Sequence, residues 1–243
     1  MFGYAPAVIA SYPTIRAGVV HATGVSNGPS PKPLWDAFVA EQHTVAERLH
    51  TTPIAEHPSI AAWRRAFTRF GTKPTQSRNA AEALLRRLAK RGELPSINTL
   101  VDIANLVSIR YALPVAVFDR AGIAGAISVR FATGSEPFTD LGAHEPVHPD
   151  PGEVIFVDAA GVAVARRWCW RQSEHSATAA ATTEALWVVE GHHDTAESDI
   201  ELAVSDLASL LATHQRHSLT RIYRLSPTTP HIHPTSDDDS PGH

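Results

Sequence analysis

The chain has 243 residues, 43% of them hydrophobic and 19% charged, with a formal net charge of −4. That is enough for a sizeable core in one large or two small domains, and the single cysteine, Cys169, excludes an internal disulfide framework and suits a reducing cytosol. No run reaches the roughly 20 apolar residues of a bilayer span, and the first apolar run has no basic flank of the signal-peptide kind. A soluble, cytoplasmic chain without membrane contact is therefore expected.

Residues 7–25 read as an opening strand pair, AVIASYP and IRAGVVHATGV about a Pro-Thr turn. The loop SNGPSPKP follows, then Leu34, Phe38, Val45 and Leu49 recur at helical spacing over 34–49. A second helix is predicted over 60–70, opened by Pro58-Ser59 and closed by Gly71, and a third over 79–90, stopped by Gly92. SINTLVDIANLVSIRYA reads as a longer helix ending before Pro114. Beyond that proline VAVFD, IAGAISVRFA, GEVIFVD, GVAVARRWCW and ALWVVEG are short strands between Gly, Asp and Pro turns. A final amphipathic helix covers 195–214. The fold class is α+β, with a mixed, largely antiparallel sheet packed with helices. One domain is expected over 1–215, and 216–243 as a polar tail, disordered past Leu225.

Charge is unevenly spread. Arg64, Arg65, Arg69, Lys73, Arg78, Arg86, Arg87, Lys90 and Arg91 crowd a segment whose only acid is Glu82, while carboxylates collect over 184–206. Such asymmetry gives an acidic protein a local basic face suited to nucleic-acid phosphates, or merely two solvated helices.

Phosphate-loop, nucleophile-elbow and C-x-x-C signatures are missing. Of the fourteen histidines, His192-His193 follow a strand in a turn, His231 and His233 lie in the tail and His144 and His148 in a proline-rich loop. No pair has, on a predicted helix, the i, i+4 spacing of a zinc site, so no metal or cofactor is expected. Asn98, Asp102, Asn105 and Ser108 fall at separations of three and four, on roughly one face of an apolar helix. Buried polar groups there must bond internally or line a cavity, because each unsatisfied one costs about 1–3 kcal/mol. Asn105, deepest in the helix, is the better pocket candidate. Glu136 and Asp140 sit in a turn-rich loop, as turn formers or as partners for arginine. Strand alternation through RRWCWRQS puts Arg167, Cys169 and Arg171 on one face, where the two arginines suit a carboxylate or phosphate.

Leu94–Asp119, LPSINTLVDIANLVSIRYALPVAVFD, together with the FG-x-KP, EALLRR and R-x-W-x-WRQS elements, resembles the editing domain of the phenylalanyl-tRNA synthetase β subunit, in a freestanding form. The resemblance runs from about Ala7 to Thr213. It implies a central cavity between helices and sheet, and metal-independent hydrolysis in trans of a mischarged tRNA. The partners implied are the aminoacylated 3′ end of tRNA and its amino-acid moiety. It implies Asn105 as the catalytic hydrogen-bonder and Glu190 as the reader of the substrate side chain; the polar helix face, the turn-rich loop and the strand-face arginines add Asn98, Ser108, Glu136, Arg167 and Arg171 as substrate-binding candidates. Arg64, Arg65, Lys73, Arg78, Arg86 and Arg87 would meet the tRNA. The sequence departs from the synthetase at Ala104, where a threonine is expected, and at Ala116, where a histidine is. A non-catalytic binder of an amino acid or tRNA, and a small-molecule enzyme of a biosynthetic pathway, therefore stay open.

Overall fold

The computed structural model describes residues 1–232, in three layers: helices, a four-stranded sheet and a five-stranded sheet. The strands are β1 (Phe2–Tyr4), β2 (Arg16–Thr23), β3 (Val115–Asp119), β4 (Ile127–Phe131), β5 (Val154–Val157), β6 (Ala163–Arg166), β7 (Arg171–Gln172), β8 (Glu184–Gly191) and β9 (Leu219–Leu225). The helices are α1 (Pro6–Ser11), α2 (Lys32–Leu49), α3 (Pro58–Arg69), α4 (Ala80–Arg91), α5 (Thr99–Tyr111) and α6 (Ala196–His214). Strand order is β3-β8-β2-β9 in the smaller sheet and β1-β4-β5-β6-β7 in the larger. Every pairing is antiparallel except β1 with β4.

The smaller sheet is the middle layer, and side-chain alternation sorts its two faces. Val20, Ala22, Val115, Val117, Trp187 and Val189 point into the core shared with α2, α4, α5 and α6. Ala17, Val19, Phe118, Leu186 and Val188 point into a second core shared with the larger sheet, α1 and α3. Burial on both faces is why β8 reads as an unbroken apolar run rather than an alternating one.

Local sequence sets the helix ends. The Asn79 side chain accepts from the Glu82 N–H at the start of α4, and Gly92 (φ 78°) closes it in the left-handed region that a glycine enters without strain. The Asn98 side chain accepts from Val101 N–H to begin α5. Asp102, fully buried, accepts from Ser30, Ser96 and the Ile97 N–H and so ties two loops to that helix.

The architecture is α+β and dominated by antiparallel strands, as the sequence implies; three local features differ. AVIAS is helix α1, not a strand: Pro6 occupies the first turn, where a missing N–H costs nothing. The strand through RRWCW breaks after Arg166, because Arg167 (φ 45°) and Trp168 (φ 60°) are left-handed, so the common face assigned to Arg167, Cys169 and Arg171 does not exist. The segment after residue 215 is not all tail: β9 pairs with β2, and Ile232 N–H donates to Phe2 O. Its alternation escapes notice because most of this edge strand is exposed. Residues 233–243, the remainder of the predicted tail, lie outside the described residues. Among the described residues no helix is long and apolar enough to cross a membrane.

Candidate functional site

A cavity of about 160 Å³ opens between the two sheets. Pro114, Ala116 and Phe118 of the β3 region and Val188 and Glu190 of β8 form one side; Phe156, Ala165, Trp168, Cys169 and Trp170 form the other, with Gln172 and Arg171. Gln172 joins the walls, its Nε2 donating to Val117 O at 2.8 Å and Ser176 O at 2.7 Å.

Glu190 is the one carboxyl in this lining, and it is 2% exposed. It follows Leu186 and Val188 on the face of β8 turned toward the larger sheet, so an apolar strand delivers an acid into an apolar layer. Tyr4 Oη donates to its Oε1 at 2.5 Å and Trp168 Nε1 to the same atom at 2.8 Å. Oε2 is left to meet whatever enters. Burial pushes the Glu190 carboxyl up to about 7, and the Trp168 and Tyr4 hydrogen bonds only partly offset it. Burial, then Glu190, likewise pushes up the neighbouring Cys169 thiol, which is an inert wall at neutral pH rather than a nucleophile.

The backbone break at Arg167-Trp168 builds this arrangement. Two successive non-glycine residues in the left-handed region cost of order 1–3 kcal/mol each, and such strain persists only where surrounding contacts over-determine it. Here Trp168 N–H donates to Val154 O at 2.6 Å, the Arg167 guanidinium donates to Ser77 Oγ at 2.7 Å, and Arg167 N–H donates to Glu153 at 3.1 Å. The half-buried Trp170 ring lies near the mouth, with the Arg167 and Arg171 guanidinium carbons 4.7 and 4.6 Å from its centroid.

The other candidates are dispersed. Of the residues assigned to substrate, Glu190 and Arg171 line the cavity. Arg171 is paired with Asp140, and Arg167 lies beside it on Trp170. Asn98 caps α5 and donates to Thr178 Oγ1 at 3.1 Å, and Ser108 Oγ donates to Leu113 O at 2.7 Å in the core. Glu136 is 3% exposed in its own loop; burial would raise its carboxyl, but the Thr133 N–H, Arg130 and the Thr133 hydroxyl hold it down to about 2. Asn105 is half-buried outside the cavity lining, and its side chain has no hydrogen-bond partner among the described residues. Tyr4, Trp168 and Trp170 escaped the sequence reading; only the clustering of tryptophans around Cys169 hinted at two of them.

The basic segment divides in two. Arg64, Arg78 and Arg86 converge on Glu82, which is 0% exposed, at 3.3, 3.9 and 2.8 Å. Arg65, Lys73 and Arg87 are exposed and have no carboxylate partner among the described residues. With Arg69, Lys90 and Arg91, likewise exposed and without a carboxylate partner among the described residues, they are cations still available to an anion.

Residues 62–215 match the family model described as the B3/4 domain. The phenylalanine–tRNA ligase beta subunit of Streptomyces avermitilis is 32% identical over 136 residues, 56% of this chain and 15% of that protein. Its counterpart from Shewanella oneidensis is 37% identical over 76 residues, 31% of this chain and 10% of that one. The chain thus spans a small fraction of the length of the curated relatives it matches. Among solved structures, an N-terminal fragment of the phenylalanyl-tRNA synthetase beta subunit from Pyrococcus horikoshii aligns with a TM-score of 0.42 and 14% identity, over 51% of this chain and 41% of that one.

Proposed function

The chain belongs to the B3/4 domain family, and on that premise we propose that it is a tRNA-directed protein that hydrolyses the ester of a mischarged aminoacyl-tRNA in trans. The observation that carries the reading is the cavity between the sheets with Glu190 in its wall. At about 160 Å³ it is close in size to engineered apolar cavities of roughly 150 Å³ that accept benzene. It has room for one amino-acid side chain and none for a nucleoside beside it. Phe118, Phe156, Trp168 and Val188 suit an apolar or aromatic group, and Glu190 Oε2 can meet a polar tip on it.

The ester and the 3′ nucleotide would then stay at the mouth, beside the half-buried Trp170 ring and the Arg171–Asp140 pair. An aminoacyl ester is already activated, so hydrolysis needs a positioned water and donors for the developing oxyanion more than a covalent nucleophile. The vicinal ribose hydroxyl of the tRNA can assist. Arg65, Lys73 and Arg87 supply the salt-sensitive attraction to the phosphate backbone. The named relatives are subunits of a tRNA ligase, which agrees with a tRNA partner.

A deacylation panel across mischarged tRNAs tests this, with Glu190→Ala and Arg171→Ala alongside the wild type. Turnover of one aminoacyl class, lowered by both variants, is expected; turnover of none would overturn the enzymatic reading. One observation favours a second reading, a non-catalytic amino-acid or tRNA binder. Ala116 lines the cavity without a base where the resemblance calls for histidine, and Asn105 stands outside it. Ligand-dependent thermal stabilisation without ester turnover would select it.

A further inference from the structure

A second cleft, of about 330 Å³, lies on the other side of Trp168, between α3 and the turn joining β8 to α6. Its lining includes Tyr12, Thr14, Arg65, Arg69, His192 and Asp194. We propose that this cleft is a phosphate-binding site, with Arg65 and Arg69 as its cations and the Thr14–His192 pair as its neutral hydrogen-bond donor.

Arg65 and Arg69 are four residues apart on α3, hence on one face of it, and both are exposed. Unlike Arg64, Arg78 and Arg86, which share Glu82, neither has a carboxylate partner among the described residues. Arg69 is held instead over the Tyr12 ring, 5.4 Å from its centroid, which fixes a cation at the rim without neutralising it. The one acid in the lining is Asp194, exposed on the opposite lip, so the site carries a net positive charge.

The inner wall supplies the donor. His192 is 7% exposed and packed edge-to-face with Trp63 and Trp168, ring centroids 4.6 and 5.0 Å away. Its Nδ1 meets Thr14 Oγ1 at 3.3 Å, while its buried Nε2 has no partner. When Nδ1–H donates to Thr14 Oγ1, the proton of the exposed Thr14 hydroxyl is free for a ligand in the cleft; the other tautomer leaves its proton on the buried Nε2, out of a ligand's reach. Two unpaired guanidinium groups with one spare neutral donor match phosphate, which accepts several charge-assisted bonds at once. Burial, with lesser contributions from His193 and Arg65, holds the His192 imidazole down to about 3, so it stays neutral while the arginines carry the charge.

The site rests on the functional reading only for what carries the phosphate. A nucleic-acid chain whose end sits at Trp170 brings phosphodiesters; inorganic phosphate or a phosphorylated metabolite offers the same group. Titration of the full chain with inorganic phosphate, and separately with the RNA trinucleotide CCA, is followed by calorimetry and by tryptophan fluorescence, since Trp63 and Trp168 flank His192. Arg65→Ala, Arg69→Ala and Thr14→Val all alter exposed residues and should fold; Lys32→Ala on α2 controls for loss of one surface charge. Saturable binding is expected, with each arginine variant raising Kd by about tenfold and Lys32→Ala leaving it unchanged. RNA that competes with phosphate identifies a phosphodiester site, and phosphate binding that RNA does not disturb identifies a free-phosphate site; both uphold the proposal. No saturable binding of either probe, or binding indifferent to Arg65 and Arg69, overturns it. Phosphate binding without ester turnover would leave this site standing and remove the deacylase reading, and turnover without phosphate binding would do the reverse.

Discussion

The indole of Trp168 donates to Glu190 Oε1 across the gap between the two sheets, at 2.8 Å. Trp168 is 0% exposed and left-handed in its backbone (φ 60°), so the chain accepts local strain to bring a ring and a donor onto a buried acid. Trp168→Phe keeps an aromatic ring in the wall but removes the N–H. Glu190 then keeps only the bond from Tyr4. The expected loss is about 1–2 kcal/mol, read as a lower denaturant midpoint with an unchanged slope. The Glu190 carboxyl should also titrate higher still, because one of the two bonds that favour its charged form is gone. An unchanged midpoint would show that the bond does not hold the sheets in place.

The same carboxyl makes stability depend on pH. Its folded value is raised to about 7 from 4.5, so between those values the folded state binds more protons than the unfolded one. Stability from Glu190 is therefore complete below about pH 4.5, declines as pH rises, and is gone above about pH 7. The full effect is roughly 3 kcal/mol. Glu190→Gln, a neutral mimic of the protonated acid, should be more stable than wild type at pH 8 and match it near pH 4.5. A difference in melting temperature that does not grow with pH contradicts this.

His192 acts in the opposite sense. Its folded value falls to about 3 from 6.5, so its contribution is complete above about pH 6.5 and is lost as pH falls toward 3. Between about pH 4.5 and 6.5 the two groups bear on stability with opposite slopes. His57 and His214 are also held below 6.5, with burial as the largest cause, and add to the His192 slope. His192→Gln should therefore make stability rise less, or fall more steeply, with pH across that window than in wild type; Glu190→Gln should make it rise more steeply. Parallel profiles for the two variants would exclude one or both assignments.

How legible these features were depends on how local their causes are. The α4 cap at Asn79 with Glu82 three residues on, and the Gly92 stop, lie within one segment and were readable. β8 was readable as a strand, but its burial on two faces depends on a second sheet that no local pattern announces. The break at Arg167-Trp168 contains neither glycine nor proline; bonds to Val154, Ser77 and Glu153 impose it, and alternation alone ran straight through. Glu190 surfaced through the family resemblance, whereas Tyr4, its partner from 186 residues away, had no reason to stand out. His192 was placed correctly after a strand, but its contacts with Tyr12, just past α1, and Trp63 of α3 come from segments more than 120 residues earlier in the sequence.

The polar stripe on α5 separates structural from functional asparagines. Asn98→Ala removes an N-cap and the bond to Thr178, at an expected cost of about 1 kcal/mol. Ser108→Ala strips the buried Leu113 carbonyl of its donor, at a cost of about 1–3 kcal/mol. Neither side chain reaches the cavity, so both variants should lower the melting temperature while leaving KM for an aminoacyl ester where it was. A raised KM in either variant would tie α5 to the substrate after all.

Glu82 offers the sharpest separation of stability from nucleic-acid attraction. It is 0% exposed, its Oε1 lies 2.8 Å from Arg86 Nε and 3.3 Å from Arg64 Nη1, and its Oε2 has no partner. Glu82→Gln retains the shape but withdraws the only carboxylate these arginines share. Breaking a buried ion pair from one side costs roughly 3–5 kcal/mol; the arginines here are partly exposed and can rehydrate, so the lower end is expected. The same change frees Arg64, Arg78 and Arg86 for phosphate. Binding to tRNA at low salt should tighten, and the slope of log K against log salt should steepen by about 0.7–0.9 for each added phosphate contact. Filter binding across a salt series measures both quantities on one preparation. Weaker binding with an unchanged slope would mean that Glu82 orients these arginines toward RNA rather than withholding them from it.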